Sequence, residues 1–278
     1  MNFSKSEIWN NSLFIRYPIE KIFKLGNLYY FLDGDTLICQ SFFNLGLEKK
    51  DLDEIKKVIF ESKKVRFSYI DDVKDLKALN KLSKDNNFVY EVIDSWEAPR
   101  LFLDQNPSSY LENYCGLQIK KNYKKYLNVK KEYKIINSEN NDVLKLWSDV
   151  LKIDTNSWKK LESSDMKSLN REDLQYFPFL LLDKENSNLV VIYDKKDTPL
   201  AYSLMFKNND MWYAVKWGAS FQGRKEYAGF YALFNHLEYI YSKDKTIRLD
   251  FWGRRNKTYD SLKNDSVNRN HIKIYKEN

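Results

Sequence analysis

Residues 211–265 contain the part of the sequence whose residue types and spacing best suit binding chemistry. An aromatic-rich predicted strand is followed by a polar loop and then by a predicted helix. The ligand-binding candidates in the loop and at the start of the helix are Gln222, Gly223, Arg224, Lys225, Ala228 and Gly229. Backbone N–H groups that stay free at a helix N-terminus favour an anion, and two adjacent cations add to that preference. The pattern therefore predicts a binding site for a phosphate-bearing ligand.

The composition indicates a globular chain, since hydrophobic residues make up 43% and aromatic residues 16% of its 278 residues. This length suits one large domain or two modest ones. Cys39 and Cys115 lie far apart without metal-ligand spacing, and the chain has only two histidines, so we predict no metal site. The sequence has no Gly-x-Ser-x-Gly motif, P-loop or Cys/His pairing, which argues against a serine or cysteine hydrolase.

The N-terminal charges and the lengths of the apolar runs bear on localisation. Residues 1–26 carry charges throughout and lack the apolar run of a secretory signal peptide. The longest uninterrupted apolar run that we find, residues 177–182, is too short to span a bilayer. We therefore predict a cytoplasmic protein without a membrane span.

The formal net charge of +7 is concentrated in two stretches of the sequence. Residues 116–135 contain seven lysines and one acidic residue, and residues 211–278 contain 13 basic and 7 acidic residues. Two interpretations stay open for these stretches. They form a surface for a polyanion, such as a nucleotide cofactor, a nucleotide-linked sugar or tRNA, or they are solvated lysine-rich faces.

The first third of the chain has the alternating pattern of a small α/β lobe. Predicted strands at 27–32 and 36–42 flank the turn Asp33-Gly34-Asp35, which is a hairpin signal. The elements that follow are a helix at 51–62 capped by Asp51 or Asp53, a strand at 64–70, a helix at 73–83 and a strand at 88–93. Prolines at 99 and 107 then break the regular structure and end this lobe.

The remaining sequence predicts a lysine- and tyrosine-rich helix or helix pair and then a second α/β lobe. The tyrosines between residues 108 and 133 have roughly helical spacing, which suits packing or contact with nucleic-acid bases. Beyond them we predict helices at 142–151, 164–175 and 229–242, an antiparallel meander at 188–194, 199–207 and 211–217, and neighbouring strands at 246–252 and 271–276. The helix at 164–175 is expected to end before Phe177-Pro178. His236 lies off the apolar stripe of its helix and is expected to be a polar surface or interface residue.

Four short motifs follow one another along roughly residues 95–265. They are Ser157-Trp158-Lys159, Gly218-Ala219-Ser220, residues 224–229 and Arg248-Leu249-Asp250-Phe251-Trp252-Gly253. Together they resemble the GNAT acyltransferase superfamily, in particular its branch with the CelD/BcsL-type proteins and the FemAB-type peptidyltransferases. Residues 224–229 match the first and last positions of the pyrophosphate-loop pattern, and Tyr227 replaces its middle glycine. This tyrosine blocks or reshapes the approach of the backbone to the phosphates.

The resemblance implies an α/β fold with a GNAT-type mixed sheet flanked by helices and with two GNAT-like lobes. The implied domains are an N-terminal lobe at 1–107, a linking helix at 108–132 and a catalytic domain at 133–278. The N-terminal lobe lacks a glycine loop at a strand-to-helix junction, so we interpret it as degenerate. A cap of unrelated fold is the alternative.

The resemblance also implies a co-substrate and roles for individual residues. Acyl-CoA, with acetyl-CoA as the first candidate, would contact Trp217 and Gly218 besides the loop residues listed above. A backbone N–H near Lys216 would stabilise the oxyanion. The acceptor would contact Lys216, Trp158 and Lys159.

Two residues are candidates for proton transfer under this resemblance. Tyr259 lies at about the position of the superfamily's thiolate-protonating tyrosine. Asp250 is the candidate general base, because alternation places it on the less apolar face of its predicted strand. A salt bridge from Asp250 to Arg248 or Arg254 is the alternative.

Three functions follow as hypotheses. The first is an N-acyltransferase that moves an acyl group from acyl-CoA to the amine of a small molecule, such as an amino sugar of a surface polysaccharide. The second is a FemAB-like transferase that takes an aminoacyl group from tRNA, although no sustained heptad pattern predicts a coiled-coil arm. The third is a non-catalytic GNAT-fold binding module whose cofactor cleft Tyr227 has closed.

Overall fold

A computed structural model of the chain describes residues 17–39, 45–61, 63–157, 169 and 171–277. In chain order, the described strands are β1 (Ile22–Leu25), β2 (Leu28–Asp33), β3 (Thr36–Cys39), β4 (Lys64–Ile70), β5 (Val89–Leu103), β6 (Lys134–Asn137), β7 (Ser187–Tyr193), β8 (Pro199–Asn208), β9 (Met211–Ala219), β10 (Ile247–Asp250) and β11 (Asp265–Tyr275). The described α-helices are α1 (Lys49–Phe60), α2 (Val73–Asp85), α3 (Pro107–Asn113), α4 (Leu117–Val129), α5 (Val143–Thr155), α6 (Arg171–Leu180), α7 (Phe221–Lys225), α8 (Ala228–Asp244) and α9 (Lys257–Leu262).

The chain divides into two compact units. The first contains the described residues up to Ala98 and those from Val267 onward, and the second is Pro99–Ser266. The segment predicted as a linking helix, 108–132, forms most of α3 and α4, and both helices belong to the second unit. Residues 267–278, assigned to the C-terminal domain from the sequence, fall in the first unit because β11 pairs with β4 there.

The first unit has the strand order β1-β2-β3-β4-β11-β5. The predicted hairpin is confirmed, because Asp33 pairs with Thr36 across the turn and Gly34 has a φ of +59°. The predicted cap of the first helix is wrong. Glu48 is the N-cap residue, and Asp51 completes a capping box with it from the third helical position.

Two predictions about strands fail where long-range pairing decides the outcome. The final strand was expected beside β10, but β11 pairs antiparallel with β4, with Ile272 opposite Phe67. Both side chains are fully buried in the core of this unit. The predicted break at Pro99 is also wrong, because β5 continues through this residue. The Pro99 carbonyl accepts the N–H of Phe251 at 3.1 Å.

The second unit has the strand order β5-β10-β9-β8-β7-β6. The antiparallel meander of β7, β8 and β9 is confirmed, whereas β10 runs parallel to β9. With β3 and β4 also parallel, the chain has the mixed α/β architecture that was predicted. Helix α6 continues through Pro178, so the predicted stop before Phe177 is wrong. The Phe177 ring is buried, and its centroid lies 6.2 Å from that of the Trp147 ring.

Helix α8 forms the centre of the core of the second unit. His236 was predicted at the surface but is fully buried, and its Nδ1 lies 3.0 Å from the hydroxyl of Ser203 on β8. Burial lowers the pKa of this imidazole to about 3, so the ring is neutral. The prediction failed because α8 is covered on more sides than its apolar stripe indicates. Within the described ranges, no helix is both long and apolar enough to cross a membrane.

Candidate functional site

The parallel strands β9 and β10 separate soon after they meet. Strand β9 pairs with β8 from Met211 to Ala219, but its ladder with β10 includes only Trp212 and Tyr213. Beyond Tyr213, the β10-facing edge of β9 can therefore offer backbone N–H and C=O groups to a ligand. This strand edge is the first element of the candidate site.

A bulge in β9 lies beside the point of separation. Leu204 pairs with Lys216, while the next residue of β8, Met205, pairs with Ala214. Val215 is therefore the extra residue of the bulged strand. A bulge re-aims the side chains on either side of it and increases the local twist.

A cavity of about 840 Å³ lies in the second unit at the end of β9, with α7 and the starts of α8 and α9 in its wall. The predicted site residues in the wall are Trp217, Gly218, Arg224, Lys225, Gly229 and Tyr259. The predicted residues outside the wall are Gln222, Gly223, Ala228, Lys216 and Asp250. The structure thus brings together Tyr259 and residues from two of the four predicted motifs but excludes part of the loop.

The predicted polar loop is in fact the five-residue helix α7. Ser220 caps this helix, and its Oγ accepts the N–H of Gly223 at 3.0 Å. Gly223 therefore uses its donor within the protein. Gln222 is exposed and donates a hydrogen bond to Glu226. Neither residue reaches the cavity, because helical winding turns them away from it.

Gly223 has a packing role instead of a binding role. A Cβ atom at this position would overlap the carbonyl oxygen of Leu200 in β8, and backbone cannot easily move away. At Gly229, by contrast, an added Cβ would lie 3.7 Å from the Trp217 ring, an ordinary contact distance. The two glycines of the loop therefore meet different constraints.

We expect Gly223→Ala to lower the free energy of unfolding by about 2 kcal/mol, since overpacking forces the backbone to shift. Gly229→Ala is the matched control and should stay within about 0.5 kcal/mol of the wild type. Urea denaturation of both variants measures the difference. Equal stability of the two variants would contradict the packing role of Gly223.

The N-terminus of α8 has no side-chain cap. Its N-cap residue, Tyr227, has a φ of +64°, a conformation that glycine adopts without strain. Tyr227 thus has a left-handed backbone conformation and adds its ring to the cavity wall. Helix N-termini without internal partners are anion sites.

The corresponding helix of the first unit is capped by the protein itself. Helix α1 connects the parallel strands β3 and β4, as α8 connects β9 and β10. Before α1, the Asp75 carboxylate accepts the N–H groups of Leu45, Gly46 and Leu47 at 2.5–3.1 Å. Internal carboxylates therefore satisfy the donors there, which leaves α8 as the better candidate for an external anion.

Every charged residue in the described cavity wall is cationic. These residues are Arg224, Lys225 and Lys257. Lys125, on α4, lies with its Nζ 4.7 Å from the centre of the Tyr227 ring. The wall therefore suits an anionic ligand.

Tyr259 brings a polar group into an otherwise aromatic part of the cavity. Its hydroxyl oxygen accepts the indole N–H of Trp217 at 3.0 Å, and its ring stacks on Phe251 at 4.8 Å between centroids. Burial raises the pKa of the Tyr259 hydroxyl. The group therefore stays protonated at neutral pH and can donate its proton.

Asp250 lies outside the cavity wall and is fully buried. Its Oδ2 accepts a bond from Arg100 Nε at 2.7 Å, and its Oδ1 accepts the N–H of Trp252 at 2.7 Å. Arg100 is thus an ion-pair partner of Asp250, whereas Arg248 pairs with Asp104. A carboxylate with both oxygens engaged is poorly placed to accept a substrate proton, so the predicted base role loses support.

The predicted acceptor residues are only partly described. Trp158 and Lys159 lie outside the described residues. Ser157, just before them, is buried and bridges to Ser220 at the start of α7. Lys216 is half-buried beside the β9 bulge and outside the cavity wall.

Five wall residues outside the predicted motifs were missed from the sequence: Phe221, Phe230, Asn256, Lys257 and Thr258. Asn256 carries a usable signal, because an asparagine just before a short helix is a typical cap, and it accepts the N–H of Tyr259 at 2.9 Å. The two phenylalanines look like core residues in the sequence. Among the described residues, no cluster of His, Cys, Asp or Glu is suited to a metal ion.

Comparison with solved structures identifies the fold. No family model matches the sequence, and no curated protein matches it either. The chain is similar to L-PGS from Bacillus licheniformis, with a TM-score of 0.60, 12% identity, and coverage of 92% of this chain and 84% of that one. It is also similar to FemX, with a TM-score of 0.60, 10% identity, and coverage of 90% and 84%.

A third similar structure is a tandem GNAT protein from the clavulanic acid biosynthesis pathway. Its TM-score is 0.50 at 7% identity, with coverage of 90% of this chain and 80% of that one. The fold is of the GNAT type. At these identities the similarity establishes the fold alone, and the assignment to the CelD/BcsL-type branch stays a prediction.

Proposed function

We propose that the protein is an N-acyltransferase that moves an acyl group from acyl-CoA, with acetyl-CoA as the first candidate, to the amine of a small molecule. The observation that carries this proposal is the Tyr259 hydroxyl, which lies in a cationic cavity at the end of β9. The end of β9 and the uncapped N-terminus of α8 line the same cavity as this proton donor. The reaction needs stabilisation of the oxyanion and is helped by a proton for the leaving thiolate, while the helix N-terminus would bind the phosphates of the co-substrate.

The chemistry assigns one task to each part of the site. The acyl carbonyl would lie against the β9 edge beyond Tyr213, where backbone N–H groups stabilise the oxyanion. The amine attacks the carbonyl carbon, the C–N bond forms and the C–S bond breaks. Tyr259 gives its proton to the departing thiolate. The pyrophosphate would lie at the start of α8, near Arg224 and Lys225.

The amine must also lose a proton during the reaction. The described part of the wall contains no carboxylate or imidazole, and Asp250 is held in its ion pair. We therefore assign this proton to water and not to Asp250. An acceptor amine whose pKa lies near neutral, as in many amino sugars, suits such a site, and an amino sugar of a surface polysaccharide is our preferred acceptor class.

A FemAB-like transfer from aminoacyl-tRNA is the second candidate. The observation that favours it is the exposed lysine-rich face of α4, with Lys121, Lys124 and Lys125, the last of which reaches Tyr227 in the cavity wall. A non-catalytic module is less well supported, since a cavity of about 840 Å³ lies beside Tyr227.

Thermal melts with CoA, acetyl-CoA and bulk tRNA test the proposal. A ligand at 100 times its dissociation constant should stabilise the fold by about 2.7 kcal/mol. We expect the CoA compounds to raise the melting temperature, and expect Arg224→Ala with Lys225→Ala to abolish the shift. Lys49→Ala with Lys50→Ala is the matched control, because these cations begin the internally capped helix α1. A shift with tRNA alone would favour the second candidate, and no shift with any ligand would reject both.

A further inference from the structure

Two exposed aromatic rings stand in the cavity wall, and each has a lysine over its face. Phe221 is 48% exposed and has Lys225 Nζ 4.5 Å from its ring centre. Tyr227 is 40% exposed and has Lys125 Nζ 4.7 Å from its ring centre. Both rings line the same cavity. Exposed apolar surface gathered in one cavity wall is of the kind that marks ligand-binding sites.

The backbone at Tyr227 strengthens this interpretation. A non-glycine residue with a φ of +64° is strained, and such strain tends to persist at ligand sites. Glycine would remove the strain here, and the ring is not needed to fill the core, because it is partly exposed. The side chain at position 227 therefore has a use in the cavity that glycine would lack.

We infer that Phe221 and Tyr227 form a stacking site for the base of an adenine nucleotide, with Lys225 and Lys125 beside its phosphates. Each ring is partly exposed, and nucleobases stack on aromatic faces while ammonium groups pair with phosphate. The inference rests on the proposed function. The shared chemistry is adenosine, which forms part of CoA and also ends the acceptor strand of tRNA.

Calorimetric titration of the full chain with adenosine 3′,5′-bisphosphate tests the inference for the nucleotide part of CoA. A parallel titration with a CCA trinucleotide tests it for the end of the tRNA acceptor strand. We expect Phe221→Leu and Tyr227→Leu each to weaken binding of the nucleotide about tenfold, the effect of losing one stacking contact. At position 227, leucine keeps a side chain at the same positive φ, so the backbone strain is matched. Tyr227→Phe keeps the ring and should bind within about twofold of the wild type.

Phe60→Leu is the matched control. Phe60 is also 48% exposed, and Lys56 lies over its ring at 5.8 Å, but it is in the first unit, on α1. This variant should bind the nucleotide as the wild type does. Wild-type affinity in Tyr227→Leu, or equal weakening by Phe60→Leu, would overturn the inference.

The two proposals fail in different ways. A wild-type protein that is stabilised by CoA but does not bind either adenosine probe would overturn the stacking site and leave the transferase proposal intact. Suppose instead that the protein binds the bisphosphate with the expected dependence on Tyr227 but transfers no acyl group to any amine. That result would overturn the transferase proposal and leave the stacking site intact. Binding of the trinucleotide alone would assign the site to RNA.

Discussion

Replacing Tyr259 with phenylalanine is expected to lower turnover about 100-fold, because the leaving thiolate loses its proton donor. The ring stack on Phe251 should survive, so binding of CoA should change little. Steady-state kinetics with acetyl-CoA and an amine acceptor would separate the two effects. Tyr133→Phe is the matched control, since its hydroxyl bonds to Glu226 outside the cavity wall.

The pH profile gives a second readout of the same group. A general acid works only while it is protonated, so the wild-type rate should fall as the pH rises through the pKa of Tyr259. Burial raises that pKa above the ordinary tyrosine value of about 10. The midpoint of the alkaline fall should therefore lie above the ordinary tyrosine value in the wild type, and the fall should vanish in Tyr259→Phe. An unchanged turnover and profile in the variant would remove Tyr259 from the mechanism.

Replacing Asp250 with asparagine is expected to lower the free energy of unfolding by about 3 kcal/mol, because it leaves the Arg100 charge without its partner. The side chain of Arg100 is only 16% exposed, so water cannot replace the carboxylate fully. Chemical denaturation measures this loss. The double variant Asp250→Asn with Arg100→Met should recover part of it, since removing both charges also removes the unpaired one.

Turnover in the same variants separates a structural role from a catalytic one. If Asp250 acts through the fold, the Arg100→Met variant should lose activity and stability as Asp250→Asn does. If Asp250 is the base, its asparagine variant should lose turnover with little change in stability, and Arg100→Met should keep most of the activity. The second pattern would restore the role that the sequence predicted.

Local patterns in the sequence predicted several elements well. Alternation gave the bounds of β4, and helical spacing placed α8 within two residues at each end. The basic pair Arg224 and Lys225 pointed to the cavity that the structure contains. Such features depend on neighbours within a few positions, so a single sequence contains the information for them.

Only the tertiary structure decided which distant groups meet. Arg100 and Asp250 are 150 positions apart, and nothing in either local pattern marks them as partners. The separation of β9 from β10 and the burial of His236 likewise depend on how whole elements pack. The sequence by itself determined the types of the elements and the cationic chemistry of the α7–α8 region. Strand order, side-chain partners and the shape of the cavity came from long-range contacts, whose free energy depends on the assembled core and not on local propensity.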